Sequence, residues 1–215
     1  MPEKIETELL DNYLIVWDPK EGSELYKMGY YGKPIGIPKP KIPEFDVPLI
    51  LDLMEGLYLV EIGEISVYGG PEKKGVSFSR LRRRARRLYE DFDAKYAVYR
   101  DLRGQKLIVT PGIKFGCDFA VYKDGPGVDH APYMVSVKKA SDEMTATDVV
   151  KAGRLATTVR KRFIIAIPDL EAEDIRYLIF KWFSSAVVRS NPVSRQSNVW
   201  LLANETTLIP AFVID

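Results

Sequence analysis

Five short segments between residues 106 and 183 have β-strand patterns, and they constrain the fold more than any other feature of the chain. They are rich in Val, Ile, Phe and Tyr and are separated by Gly, Pro and charged residues. They span residues 106–110, 118–123, 133–138, 162–167 and 176–183. Between the third and fourth segments, the sequence Thr-Ala-Thr-Asp at 145–148 is typical of a helix N-cap. The order β-β-β-α-β-β predicts an α/β domain with a mixed sheet.

The first ninety or so residues combine strand, helix and turn patterns in a different way. Residues 12–18 and 64–69 have strand patterns, and the first half of 49–70 can form a helix. Residues 19–48 are rich in Pro, Gly and Lys, and we predict that they form an inserted loop. A helix is predicted over 77–92, because four apolar residues fall on one of its faces. These residues are Leu81, Ala85, Leu88 and Phe92.

The change of pattern near residue 95 predicts two domains in an α/β (α+β) protein. A length of 215 residues is enough for one large domain or two small ones. We expect a small mixed α+β domain over residues 1–94 and a mixed-sheet α/β domain over residues 95–215.

The scarcity of cysteine and histidine restricts the chemistry that this chain can perform. Because Cys117 is the only cysteine, an internal disulfide framework and a Cys-based zinc site are excluded, and a reducing compartment is expected. With His130 as the only histidine, a transition-metal site would need a carboxylate-rich shell. No apolar run has the length of a membrane span, and the N-terminus is unlike a secretory signal. We therefore expect a cytoplasmic protein that does not associate with membranes.

Positive charge is concentrated in two stretches, although the net charge is only +1. Residues 79–92 contain six Arg, and residues 151–163 contain a second group of Lys and Arg, while acidic residues collect at 168–176. A chain that is nearly neutral overall can still bind polyanions through such patches. For the Arg run at 79–92, we favour a solvent-exposed face that pairs with acidic groups of a partner over direct contact with nucleic acid.

The predicted helix over 147–162 has an apolar face and a basic face. At about 100° per residue, four small or apolar residues fall on one side: Val149, Ala152, Ala156 and Val159. Arg154 and Lys161 are seven residues apart and point the same way on the other side. Periodicity alone favours a solvated basic surface over a binding site for these two residues.

The segment 121–133 joins two predicted strands and contains the only histidine. Its Gly and Pro residues indicate a shaped turn. In an antiparallel pair, Tyr122 and His130 lie at the same end of the sheet, where a phenol and an imidazole can meet. Imidazole can exchange a proton near neutral pH. Taken singly, Tyr122 is more simply explained as a packing residue, and His130 is equally well explained as a surface residue.

Several motifs together resemble the archaeal tRNA-intron splicing endonucleases. The sequence Phe-Gly-Cys-Asp-Phe-Ala-Val-Tyr at 115–122, followed by His130, is similar to the family's Phe-Gly-x-Asp-Phe-x-x-Tyr signature and its downstream histidine. Residues 153–167 resemble its Arg-x-Ala-x-x-x-Arg-Lys helix and the buried strand after it, and residues 30–34 and 51–67 resemble motifs of its N-terminal domain. The resemblance covers most of residues 9–183. It implies a restriction-endonuclease-like nuclease fold for the C-terminal domain.

The resemblance also implies a catalytic triad of Tyr122, His130 and Lys161 with no metal and no other cofactor. In the family, the tyrosine is the proposed general base for the ribose 2′-hydroxyl, and the histidine is the general acid for the leaving 5′-oxygen. The lysine stabilises the charge on the phosphorane. The products are a 2′,3′-cyclic phosphate and a 5′-hydroxyl. Because neutral phenol is a weak base, an orienting role for Tyr122 is an alternative.

Binding residues and partners follow from the same resemblance. The family holds a bulged base between two cationic side chains, whose positions correspond to Arg154 and Arg176. The substrate is then precursor tRNA with a bulge-helix-bulge at each exon–intron junction. The resemblance implies the catalytic subunit of an α2β2 heterotetramer, with a homo-oligomer as the alternative. In that assembly the acidic turn at 169–174 docks into a partner subunit.

Two other functions are weighed against this one. A metal-dependent DNA nuclease would use Asp118 with an acidic residue on the next strand, where this chain has Ser136. A non-catalytic structural subunit of the same endonuclease would lack the triad, all of whose members are present here. Residues 33–48 and 185–215 are not explained by the resemblance.

Overall fold

The computed structural model describes residues 4–38, 40, 42–128, 133–148, 150 and 162–180. The chain divides into two compact units by its internal contacts. The first contains Met1–Tyr96 and Asp124–His130, and the second contains Ala97–Lys123 and Ala131–Asp215. Compactness does not establish that either unit folds independently, so the predicted domain boundary between residues 94 and 95 stays a prediction.

The first unit is built on a six-stranded mixed sheet. Its strands are β1 (Ile5–Leu10), β2 (Tyr13–Val16), β3 (Lys33–Pro34), β4 (Leu49–Asp52), β5 (Ile65–Gly69) and β6 (Lys74–Gly75). Their spatial order is β3-β4-β2-β1-β5-β6. Only the β1–β5 pair among them is parallel. The helices are α1 (Pro19–Gly29), α2 (Leu53–Glu61) and α3 (Phe78–Leu88).

Helix α1 corrects the prediction that residues 19–48 form only a loop. It begins because the Asp18 side chain accepts hydrogen bonds from the backbone N–H groups of Lys20 and Glu21, at 2.8 and 3.1 Å. Pro19 occupies the first turn, where a missing N–H is harmless. Leu25 and Tyr26 are buried, so only a short apolar stripe holds the helix on the unit. Because this stretch is rich in Gly and Lys, its sequence pattern did not indicate the apolar stripe.

The predicted helix over 77–92 is in fact two elements. Leu81 and Ala85 are buried as predicted, but α3 ends at Leu88, which is 46% exposed. Phe92 is buried at the start of a further helix, α4 (Phe92–Gly104), which the sequence analysis did not predict. The break lies at Asp91, whose φ of 52° is in the left-handed region.

The second unit is built on a five-stranded mixed sheet, which confirms the predicted series of strands. The strands are β7 (Ile108–Pro111), β8 (Phe119–Tyr122), β9 (Tyr133–Val137), β10 (Arg162–Asp169) and β11 (Asp174–Phe180). A 3₁₀ turn, Ile113–Phe115, joins β7 to β8. The order is β11-β10-β9-β8-β7, and only the β9–β10 pair is parallel. The predicted mixed α/β fold class is therefore confirmed.

Helix α4 covers one face of this sheet. The rings of Tyr99 and Phe119 lie 5.9 Å apart, and the Tyr177 hydroxyl donates a hydrogen bond of 2.5 Å to Asp101. Burial and this hydrogen bond to a carboxylate raise the pKa of Tyr177 far above its usual value. Within the described part of the chain, none of the helices has the length and apolar character needed to cross a membrane.

Candidate active site

Tyr122 is the last residue of β8 and lies on the face of the second sheet opposite α4. It pairs with Ile108 of β7 in register. Its half-buried ring packs against an apolar cluster. The buried members of this cluster are Cys117, Ala120, Met134, Phe163 and Ile165. The ring therefore packs in the core of the second unit, and Tyr122 ends its strand at the rim of the sheet.

Three strand ends meet at this rim. Val121, next to Tyr122, pairs with Tyr133 at the start of β9, and Tyr133 pairs with Arg162 at the start of β10. An Nη atom of Arg162 lies 3.5 Å from the Tyr133 hydroxyl, and the guanidinium carbon lies 5.8 Å from the centre of the ring. Burial raises the pKa of Tyr133, and the neighbouring cation offsets this rise only in part. The sequence analysis missed this pair, although Arg162 directly follows Lys161.

The Phe-Gly-Cys-Asp-Phe signature fixes the position of β8, the strand that ends at Tyr122. The Asp118 carboxylate accepts a hydrogen bond of 2.8 Å from the backbone N–H of Val137, which ties β8 to the end of β9. A Cβ atom on Gly112 would lie 2.6 Å from Cys117 Sγ and 2.8 Å from Phe119 backbone atoms. Only glycine therefore fits at Gly112. The Asp118 carboxylate therefore takes part in a structural hydrogen bond, whereas a DNA nuclease would use it as a metal ligand.

Three of the predicted site residues, His130, Lys161 and Arg154, lie outside the described residues. Described residues lie close in sequence to His130 and Lys161 but not to Arg154. His130 precedes Tyr133 by three residues, and Lys161 directly precedes Arg162.

The start of the predicted basic helix is also described. The Thr145 hydroxyl accepts from the Asp148 N–H at 3.2 Å, and Asp148 accepts from the Thr145 N–H at 3.1 Å. These two hydrogen bonds form the predicted N-cap.

Arg176 lies at the other end of the sheet from Tyr122. It is exposed on β11, the second strand after the predicted helix, and pairs with Ile167. Ile167 is five residues along β10 from Arg162, which corresponds to about 16 Å at the rise of a β-strand. Arg176 and Tyr122 lie on the same face of the sheet but at opposite ends of it, so the structure does not bring them together.

The acidic turn between β10 and β11 is exposed. The Asp169 carboxylate accepts hydrogen bonds from the N–H groups of Ala172 and Glu171, at 3.0 and 3.1 Å, and these bonds hold its pKa below the usual range. Leu170 at the same turn is 53% exposed. Docking of this turn into a partner stays a prediction.

Potential metal ligands are not clustered in the described part of the chain. Among the residues that the structure describes, no three His, Cys, Asp or Glu side chains are grouped as ligands of one ion. The described residues therefore contain no candidate metal centre.

Two family models match this chain. The model of the tRNA intron endonuclease catalytic C-terminal domain matches residues 92–177, and that of the N-terminal domain of the same family matches residues 5–82. A tRNA-splicing endonuclease of Hyperthermus butylicus is 47% identical over 174 residues, which are 81% of this chain and 96% of that protein. The chain belongs to the tRNA intron endonuclease family. It contains the family's catalytic domain and is an endonuclease.

Other members of the family are similar over the same share of the chain. The tRNA-splicing endonuclease of Sulfurisphaera tokodaii is 40% identical over 176 residues, covering 81% of this chain and 97% of that protein. That of Saccharolobus islandicus is 38% identical over 177 residues, covering 81% of this chain and 96% of that protein. The family predicted from the sequence motifs is thus confirmed over both of its domains.

Proposed function

We propose that this endonuclease cuts precursor tRNA at bulge-helix-bulge exon–intron junctions and leaves 2′,3′-cyclic phosphate and 5′-hydroxyl ends without a metal ion. The observation that carries the proposal is the meeting of three strand ends at one rim of the second sheet. Tyr122 ends β8 there, and the chain enters β9 and β10 at Tyr133 and Arg162, close in sequence to His130 and Lys161.

The proposed reaction is an internal transesterification. The 2′-oxygen of the ribose transfers its proton to Tyr122, which accepts it as the phenolate, and attacks the adjacent phosphorus, which forms the cyclic phosphate. The bond from phosphorus to the 5′-oxygen breaks, and His130 transfers a proton to that oxygen. Lys161 offsets the negative charge that develops on the phosphoryl oxygens. The His130 imidazole then takes up a proton from solvent and the Tyr122 phenol loses one to solvent, so the site returns to its starting state.

Because a neutral phenol is a weak base, Tyr122 has two possible roles: it accepts the 2′ proton as a phenolate, or it orients the 2′-hydroxyl. Its ring is held by the apolar cluster, which suits a residue that orients the 2′-hydroxyl as well as one that accepts its proton. Substitution of the hydroxyl alone separates these roles, because a base shapes the dependence of the cleavage rate on pH and an orienting group changes only its magnitude.

Bulge recognition is assigned to Arg154 and Arg176. Arg176 is exposed, and a guanidinium plane can stack on an unpaired base. Its distance from the rim that carries Tyr122 suits an oligomer in which one chain supplies the triad and another holds the bulge. We propose an α2β2 heterotetramer, with a homo-oligomer as the alternative, in which the exposed turn 169–174 contacts a neighbouring subunit.

The deciding experiment is cleavage of a synthetic bulge-helix-bulge RNA by the chain alone and then with a candidate partner subunit. We expect 2′,3′-cyclic phosphate and 5′-hydroxyl ends, and equal rates with and without EDTA. His130→Ala is expected to abolish cleavage while RNA binding survives. Loss of cutting on chelation would contradict the metal-independent mechanism. Full cleavage by the His130→Ala chain with its partner would instead identify this chain as the structural subunit.

A further inference from the structure

Four arginines of α3 line a depression on the surface of the first unit. Together with Leu9 of β1 they enclose a volume of about 250 Å³. We call Arg80, Arg83, Arg84 and Arg87 the arginine cluster. All four are exposed, and they lie in the unit that contains β1 to β6, whereas Tyr122 and Arg176 belong to the second.

The geometry of α3 divides its six arginines into two groups. Arg82 and Arg86 are four residues apart and both reach Asp93, at 2.7 Å from its carboxylate oxygens. The arginine cluster lies within an arc of about 100°, whose centre is about 130° around the helix from the buried Leu81 and Ala85. Within the described part of the chain, none of its four members forms an ion pair with an acidic side chain. The cluster therefore keeps its positive charge, while Asp93 compensates the other two arginines in part.

Folding does not account for the arginine cluster. Like charges three and four residues apart on a helix repel each other. Arg80 also lies in the first turn, where the helix dipole disfavours a cation, and of the four only Arg87, in the last turn, is favoured by it. Because the four side chains are exposed, they add little packing to offset this repulsion. An anionic ligand that neutralises the cluster would remove the repulsion.

We propose that the arginine cluster binds backbone phosphates of the RNA substrate, as a contact separate from the catalytic rim. The proposed function supplies the identity of this RNA, and the inference rests on it to that extent. A guanidinium donates two parallel hydrogen bonds to a phosphate, and several of them along one helix match a run of phosphates. An acidic protein surface fits less well, because the cores of protein interfaces are apolar and Leu9 is the only apolar residue among the described ones that line the depression.

This assignment revises the expectation that the whole Arg run at 79–92 is a solvated face that pairs with acids. That expectation describes Arg82 and Arg86, whose acidic partner belongs to the same chain. The spacing of the residues alone does not show which arginines form ion pairs with Asp93.

The test uses three variants with matched spacing on α3, in the full chain together with its partner subunit if it needs one. R80Q/R84Q and R83Q/R87Q each remove two charges from the cluster, and R82Q/R86Q removes two that contact Asp93. Kd for precursor tRNA is measured over a range of KCl concentrations. We expect each cluster variant to raise Kd about tenfold and to lower the slope of log Kd against log salt by between about 1 and 2. The control variant should change Kd less than about twofold.

Equal Kd values for the wild type and both cluster variants would overturn the inference, and so would an equal loss in all three variants. Unchanged RNA binding with lost oligomer formation would overturn it too and would assign the cluster to a protein interface. Because binding is measured without cleavage, the two proposals can fail separately. A wild type that binds precursor tRNA but does not cut it would contradict the proposed function, and the cluster variants would still decide this inference.

Discussion

At the scale of single residues, Tyr122 combines two requirements in one side chain. Its ring packs against the apolar cluster on one face of the sheet, and the residue itself ends β8 at the rim. The ring can therefore be kept while the hydroxyl is removed, which separates packing from chemistry.

Tyr122→Phe is expected to lower the rate of RNA cleavage by about 10² or more, the usual contribution of a positioned acid or base. The free energy of unfolding should change by less than about 0.5 kcal/mol, because the apolar contacts remain. Cleavage assays and urea unfolding measure the two effects. A cleavage rate within a factor of about two of wild type would remove Tyr122 from the proposed triad.

Gly112 offers a second test at this scale, because no side chain fits beside Cys117 and Phe119. Gly112→Ala should destabilise the second unit by about 2 kcal/mol through overpacking. Gly104→Ala is the matched control, since no atom lies within 4 Å of a Cβ placed there. Thermal unfolding compares the two variants. If they have equal stabilities, the close contact at Gly112 is relieved by small backbone shifts.

At the scale of elements, the ion pairs between α3 and Asp93 join the end of one helix to the beginning of the next. Burial raises the pKa of Asp93, but hydrogen bonds and charge from Arg86 and Arg82 outweigh it and leave the pKa below its usual value. A depressed carboxyl pKa stabilises the folded state above the pKa of the unfolded state, near 4. This stabilisation is lost as the pH falls through the folded pKa.

Asp93→Asn should therefore lower the free energy of unfolding by about 1 kcal/mol at pH 7, a value typical of a partly exposed charge pair. The difference from wild type should shrink as the pH falls below about 4, where the unfolded carboxyl is protonated as well. Chemical denaturation between pH 3 and pH 7 measures it. A difference that stays constant over this range would show that the ion pairs contribute nothing.

At the scale of the whole molecule, the proposed RNA contacts occur at different places along the chain. Tyr122 and Arg176 are at opposite ends of one sheet, and the arginine cluster belongs to the other unit. Substitutions at these places should therefore have different effects on cutting and on binding.

Arg154→Ala and Arg176→Ala are each expected to lower cleavage of a bulge-helix-bulge RNA by about tenfold without unfolding the protein, in line with the loss of one stacking contact. A fully paired RNA of the same length should bind to these variants and to the wild type equally, because it has no bulged base. Single-turnover cleavage and competition binding separate the two effects. An unchanged rate on the bulged RNA would remove that arginine from the binding site.

Much of the second unit could be predicted from local patterns. Its five strands are rich in β-branched and aromatic residues, and stretches with Gly, Pro and charged residues separate them, so each strand is recognisable alone. The N-cap at Thr145 is local too, since both of its hydrogen bonds span three residues. The family signature at 115–122 lies on one strand and its turn, which is why the position of Tyr122 in sequence indicated its place at a strand end.

Other features depended on residues that are distant in sequence. Helix α1 was missed because its packing residues, Leu25 and Tyr26, are few and its partner strands lie elsewhere in the chain. The break between α3 and α4 was missed because Asp91 adopts a positive φ that composition does not specify. Local propensity is weak compared with tertiary packing at such points.

The sequence by itself determined the family, the mixed α/β class and the series of strands along the second unit, because these follow from local periodicity and from a motif read along one strand. Only the tertiary structure decided which residues meet. It placed Arg162 against Tyr133 at the rim, separated Arg176 from Tyr122, and left four of the six α3 arginines without an acidic partner among the described residues. The reason is that strand pairing and ion pairing join residues far apart in the chain, and residue spacing carries no information on such contacts.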